Sequence, residues 1–177
     1  MSLTTINTRA TFRSGPGRPD KQPIERVLMS LFLSSYENRL DTKGRISVPA
    51  SFRAAISQND FAGVVLYRSF TNNCIEGMTM SRMKQMAAAT DKMGLFEDSL
   101  DDLTAMLFAD ARPLSFDVTG RIIIPADLLH HANITDTAVF VGRGNGFQIW
   151  EPAAFREHQA RALENLRQSR PNLKIPE

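Results

Sequence analysis

One cysteine, Cys74, is all that the 177 residues contain, so no internal disulfide can form. That suits a reducing cytoplasm and excludes cysteine-based zinc sites. The three histidines (His130, His131, His158) show no metal-ligand spacing, so neither a metal nor any other cofactor is expected. No stretch approaches the roughly 20 apolar residues of a membrane-spanning helix. The first 20 residues hold arginines and prolines but lack the apolar block of a secretory signal. The expected place is therefore the cytoplasm, without a membrane partner. Phosphate-loop and dinucleotide glycine fingerprints are missing too, and no Ser-His-Asp set can be assembled.

Charge of one sign is also scarce. The net charge is only +2, and it is unevenly placed. Arg9, Arg13, Arg18, Lys21 and Arg26 against Asp20 and Glu25 give residues 1–28 a net +3, which leaves the remainder at −1. A near-neutral body does not attract nucleic acid through bulk charge. If it binds such a polymer, its basic groups must share one face or be multiplied by assembly.

Residues 1–28 read as a disordered arm, because Ser14-Gly15-Pro16-Gly17-Arg18-Pro19 cannot hold a helix or strand. Either the arm is a basic tail that touches an anionic partner, or it reflects an upstream start codon with the chain proper beginning at Met29. The abrupt change of composition at Met29 favours the second reading.

What is present is a repeat. Leu40-Asp41-Thr42-Lys43-Gly44-Arg45-Ile46-Ser47-Val48-Pro49-Ala50 recurs 76 residues later as Phe116-Asp117-Val118-Thr119-Gly120-Arg121-Ile122-Ile123-Ile124-Pro125-Ala126. Downstream, Val64-Val65-Leu66-Tyr67-Arg68 answers Val139-Phe140-Val141-Gly142-Arg143. The boundaries expected from this are a first repeat over 29–93, a linking helix over 94–113, a second repeat with its closing helix over 114–167, and a flexible tail over 168–177.

Each repeat predicts the same elements. A strand ends at Leu40 or Phe116, a turn follows, and a β-branched run covers Ile46–Val48 or Ile122–Ile124. The Pro-Ala pair then opens a short helix, Ser51–Ile56 or Asp127–Ala132, since proline is tolerated where its missing N–H has no partner to lose. A hairpin turns at Thr71-Asn72-Asn73 or Gly144-Asn145-Gly146. Gly77 stands where the second repeat has Ile149, which predicts an irregular first hairpin. Phe96, Leu100, Leu103 and Leu107 make one helical face, with Asp98, Asp101 and Asp102 in solvent; Phe155, Ala162, Leu163 and Leu166 make another. Met78, Met80, Met83, Met86 and Met93 read as adaptable core or interface filler, and Trp150 as a packing anchor. The fold class is mainly β with appended helices, an α+β arrangement of two tandem repeats.

The turn Asp-x-x-Gly-Arg has a physical rationale. Asp41 and Asp117 can accept backbone N–H groups from the residues that follow, which fixes the turn. Gly44 and Gly120 supply a positive φ or a close approach. Arg45 and Arg121 stand at the mouth of the next strand, where a guanidinium either pairs with that carboxylate or points outward to a phosphate or base edge. The residues alone leave both uses open.

The segment from Tyr36 to Pro49, with its second copy, both Pro-Ala steps and Phe147-Gln148-Ile149-Trp150, closely resembles the MraZ family over roughly Met29–Leu166. The resemblance implies a bacterial transcriptional regulator related to the AbrB group. It implies a pseudo-symmetric swapped-hairpin β-barrel of the AbrB-like or double-psi type, assembled into homo-oligomeric rings. It further implies binding to double-stranded DNA at short direct repeats upstream of the division and cell-wall gene cluster, hence a nucleoid-associated cytoplasmic protein. Carried over by motif, the turn bearing Lys43 and Arg45 is the DNA-reading loop, with Arg39 assisting from the preceding strand. Arg121 is the second-repeat counterpart, but Thr119 replaces Lys43, so the first repeat is expected to contribute more.

Two other classes share parts of this pattern. An AbrB-like antitoxin or structural assembly module would use the same unit. A hydrolase with Asp41 and Asp117 as an aspartic-protease-like dyad needs glycine directly after the hydroxyl residue, whereas this chain has Asp41-Thr42-Lys43 and Asp117-Val118-Thr119. Its arginines would also keep each carboxylate ionised and remove the shared proton. The expectation is that the protein is not an enzyme.

Overall fold

The structure, a computed structural model, describes residues 31–57, 61–91 and 98–169, the side chains of 98–101 and 103 excepted. The first repeat runs β1 (Ser35–Arg39), β2 (Arg45–Ser47), α1 (Ala50–Ile56), β3 (Gly63–Arg68), β4 (Ile75–Met78) and α2 (Met80–Thr90). Helix α3 (Asp98–Asp110) follows, and the second repeat runs β5 (Arg112–Ser115), β6 (Arg121–Ile123), α4 (Ala126–His131), β7 (Thr137–Gly142), β8 (Phe147–Trp150) and α5 (Pro152–Ser169). The class is α+β with the sheet dominant. The expected short strands and helices start one residue earlier than the sequence pattern places them. Pro49 and Pro125 stand as N-caps, with φ of −52° and −56°, just before their helices.

Six strands form one antiparallel sheet in the order β1-β7-β8-β4-β3-β5, and β2 pairs with β6 in a separate two-stranded ribbon. The strand pairing therefore gives two sheets, not one closed barrel. Exchanging the two repeats leaves the strand order unchanged. Ile46 faces Ile122 across the ribbon, and Glu76 faces Gln148 across the sheet centre. The first strand of each repeat pairs with the third strand of the other, β1 with β7 and β5 with β3. The repeats are thus interleaved.

Alternation along the strands divides the core. Val64, Leu66, Ile75, Ala138, Phe140 and Ile149 face a large inner core closed by α1 and α4. Phe32, Phe52, Phe140 and Phe147 meet there at centroid distances of 5.0–6.2 Å. Val65, Tyr67 and Met78 face the other side, where α2 and α3 cover them through Met83 and Leu107. Strand β3 is covered on both faces, which explains its unbroken apolar run. Cys74 is fully buried, and burial pushes its thiol up to about 12.

Several expectations meet different outcomes. Gly77 does not make the hairpin irregular: β4 pairs regularly with β3 and β8, and Gly77 lies opposite Phe147. A Cβ there would stand 2.8 Å from Phe147 Cε1, so the glycine makes room for the ring. The apolar face of α5 is only partly used. Phe155 packs near Trp150 (6.3 Å), but Leu163 and Leu166 are more than half exposed and no residue of the helix is buried. An 18-residue helix is about 27 Å long, and its later turns leave the sheet behind. Trp150 is buried and donates its indole N–H to Gln148 Oε1 (3.0 Å). Met78 and Met83 are buried, with Met80 and Met86 packed against them, while Met93 lies outside the described residues. Leu107 is buried and Asp102 exposed; Phe96 and the side chains of Asp98, Leu100, Asp101 and Leu103 lie outside the description.

Candidate nucleic-acid interface

Each repeat's turn is built around one carboxylate. Asp41 Oδ1 accepts the backbone N–H groups of Lys43 (2.9 Å) and Arg45 (3.0 Å), and Asp41 Oδ2 accepts Arg45 Nε (2.6 Å). Asp117 does the same: Oδ1 accepts from Thr119 N (2.8 Å), Thr119 Oγ1 (2.7 Å) and Arg121 N (3.0 Å), and Oδ2 from Arg121 Nε (2.8 Å). Gly44 (φ +72°) and Gly120 (φ +77°) hold the left-handed corner that side-chain-bearing residues rarely adopt. The glycine carbonyls then tie the repeats together. Gly44 O accepts from Ile124 N (3.0 Å), and Gly120 O from Val48 N (3.1 Å).

The ribbon decides where the arginines go. In β2 and β6 the central Ile46 and Ile122 point into the core, so Arg45 and Ser47 of one strand and Arg121 and Ile123 of the other share the outward face. Arg45 stands opposite Ile123 and Arg121 opposite Ser47, which places both guanidinium groups on one exposed surface. Each is engaged by its aspartate through Nε, and the donors on Nη1 and Nη2 stay available for a further acceptor. Their side chains are 36% and 37% exposed. Pairing and outward display are therefore compatible: the carboxylate aims the guanidinium. Arg39 is exposed at the end of β1, one residue before Leu40, which bridges to Ile46. Lys43 is exposed in the first turn. The second turn has Ser115 and Thr119 at the positions matching Arg39 and Lys43, and Val118 at its tip is fully exposed.

One residue at this surface escaped the sequence reading. Arg53, on α1 of the first repeat, donates Nε to Val48 O (3.1 Å) and lies across Gly120 of the second turn. Nothing local signals this, because the contact spans two repeats. The available signal was the mismatch with Leu129, its counterpart 76 residues on.

The Asp41 carboxyl is held below its ordinary range first by the Arg45 backbone N–H, with the Arg45 and Lys43 groups adding to it and burial opposing. Asp117 is lowered well below the usual carboxylate range, first by the Arg121 backbone N–H and next by the Thr119 hydroxyl. The two acids are separately paired and ionised, and not a proton-sharing dyad. Because both folded values lie below the unfolded one, the stabilisation they give is complete above about pH 4 and is lost as pH falls through the depressed values. Backbone amide shifts of Lys43, Arg45, Thr119 and Arg121 should hold from neutral pH to about pH 4, and Asp117 should titrate below Asp41. Midpoints near 4 for both turns would remove the carboxylates from their anchoring role.

Among the described residues no group of acids, histidines and cysteine is placed to hold a metal, and no helix is long and apolar enough to cross a membrane.

The chain matches the sequence model of a family described as "MraZ protein, putative antitoxin-like", twice in succession, over residues 31–104 and 107–173. The first 30 residues lie outside the match. It is 42% identical over 144 residues to "Transcriptional regulator MraZ" of Pelagibacter ubique, covering 81% of this chain and 93% of that one. The protein of the same name from Gluconacetobacter diazotrophicus is 43% identical over 143 residues, covering 79% and 90%. That of Rickettsia bellii is 37% identical over 147 residues, covering 82% and 98%.

Proposed function

This chain belongs to the MraZ family, and on that footing we propose that it is a sequence-specific DNA-binding transcriptional regulator that acts as a ring-shaped homo-oligomer on short direct repeats upstream of the division and cell-wall gene cluster. The observation that carries the reading is the pair of aspartate-aimed arginines, Arg45 and Arg121, on one outward face of a two-stranded ribbon. A ribbon of this width enters a major groove, where guanidinium donors meet phosphate oxygens and guanine edges. Arg39 and Lys43 add cations on the first-repeat side, so that side contributes more. Asp41, Gly44, Asp117 and Gly120 hold the two turns.

The unit doing this is an interleaved, swapped-hairpin pair of AbrB-like repeats, residues 29–93 and 114–167, joined through 94–113. The exchange of first strands between repeats supports it. A net charge of only +2 argues that affinity comes from multiplicity. One protomer offers few phosphate contacts, whereas head-to-tail contacts closing a ring would display one loop per subunit along a rim. The protein works in the cytoplasm at the nucleoid. It is a binding protein and not a catalyst, since its two aspartates are each committed to an arginine.

Titration of the full chain onto DNA from upstream of its own gene tests this, with the mass of the free protein measured in parallel. A single repeat should bind weakly and lose affinity steeply with salt. Two adjacent repeats should gain about 10²–10⁴-fold. A monomer that binds tandem and scrambled repeats alike would overturn the proposal.

A further inference from the structure

The interleaving of repeats breaks symmetry at two places near the turns, and the breaks are complementary. At the tip, the first turn has Lys43 and the second has Thr119. Over the glycine corner the order is reversed. Leu129 Cδ1 lies 3.7 Å from where a Cβ on Gly44 would stand, whereas Arg53 covers Gly120, its Cδ and Cζ 2.7 and 2.8 Å from the corresponding point. Each turn therefore has one long cation besides its motif arginine: its own lysine in the first, an arginine from the other repeat in the second.

We infer that Arg53 is the phosphate-binding cation of the second turn, delivered across the repeat boundary in place of the lysine that turn lacks. The inference rests on the reading of the turns as DNA-gripping elements. Three features support it. The Nε bond to Val48 O fixes the stem of Arg53 and leaves the Nη donors for an acceptor. A guanidinium held this way loses little further freedom when a phosphate arrives. The cleft it borders, about 270 Å³ and shared with Ser57, Asp117 and Val118, opens beside the exposed tip of the second turn. Asp117 does not claim Arg53, because Arg121 and the turn N–H groups already fill its oxygens. Gly120 is then needed twice, for its positive φ and for the passage of the Arg53 side chain.

The test compares the salt dependence of binding to tandem-repeat DNA for the wild type, Arg53→Gln, Thr119→Lys, the double variant and Arg45→Ala, with a melting curve for each. Every phosphate contact contributes about 0.9 to the slope of log K against log salt. Arg53→Gln should lower the slope by about one per engaged subunit, and adding Thr119→Lys to it should restore the slope by moving the cation to the tip. Restored slope without restored melting temperature separates the charge from any packing role. A wild-type slope in Arg53→Gln, or a slope that Thr119→Lys fails to recover, overturns the inference. If wild-type protein does not bind the DNA at all, the reading of the turns falls first; if it binds and Arg45→Ala does not, that reading stands whatever Arg53 does.

Discussion

Arg45→Ala is expected to abolish binding to tandem-repeat DNA while the protein melts within a few degrees of wild type. The reason lies in the division of labour within the guanidinium. Its Nε pair with Asp41 is solvent-accessible at 2.6 Å, and solvent screening leaves such pairs a small share in stability. In a chain of this size that moves the melting temperature by at most about 2–4 °C. The Asp41 carboxylate keeps the Lys43 and Arg45 backbone N–H bonds after truncation, so the turn persists. What is lost is the outward donor set, about 1–3 kcal/mol for a bidentate base contact at each engaged subunit. Two engaged loops multiply that loss to about 10²-fold or more. Arg121→Ala should cost less, because Arg39 and Lys43 remain beside Arg45. Gel-shift titration with melting curves decides it. An unfolded Arg45→Ala protein would make the arginine a structural residue, and equal losses from both arginines would remove the asymmetry between repeats.

Gly77→Val should destabilise the fold by about 3 kcal/mol, a large share of the roughly 5–15 kcal/mol typical of a domain. The added side chain has nowhere to go. It would enter the volume of the Phe147 ring, which is itself held between Phe32 (5.0 Å) and Phe52 (5.4 Å). Moving the ring would disturb the inner core at the pairing of β4 with β8, where the two repeats meet. Chemical denaturation should show a lowered midpoint, and the penalty should shrink by more than about 1 kcal/mol in a Phe147→Leu background. Equal penalties in both backgrounds would mean the ring is free to move aside.

The turns were legible in the sequence because their information is local. An aspartate, a glycine at a left-handed corner and an arginine four residues on specify one another within a single loop, and their recurrence at a fixed offset left little ambiguity. The apolar runs of β3 and β7 were legible as matching segments of the two repeats, although an unbroken run does not say which residues face which side. Partner choice was not local. The pattern of β1 says that Tyr36 and Asn38 share a face, but it does not say that β7 of the other repeat lies alongside. Gly77 illustrates the limit: in one dimension it interrupts a strand, whereas in three it is the space a phenylalanine occupies. Arg53 is the same case with opposite chemistry, an ordinary helical arginine until strand exchange brings it over Gly120. Leu163 and Leu166 gave a sound apolar periodicity, yet periodicity cannot tell how far a helix outruns the sheet beneath it.

The exchange of first strands has a consequence for biosynthesis. Ser35 finds its ladder partner in Val141, so β1 leaves the ribosome about 5–20 seconds before the strand that completes it, at ordinary elongation rates. During that interval the amino-terminal half carries an unsatisfied edge and cannot close its core. A chain further along the same message already holds the strand that a shorter one lacks, which makes trading of segments between nascent copies the characteristic hazard of this topology.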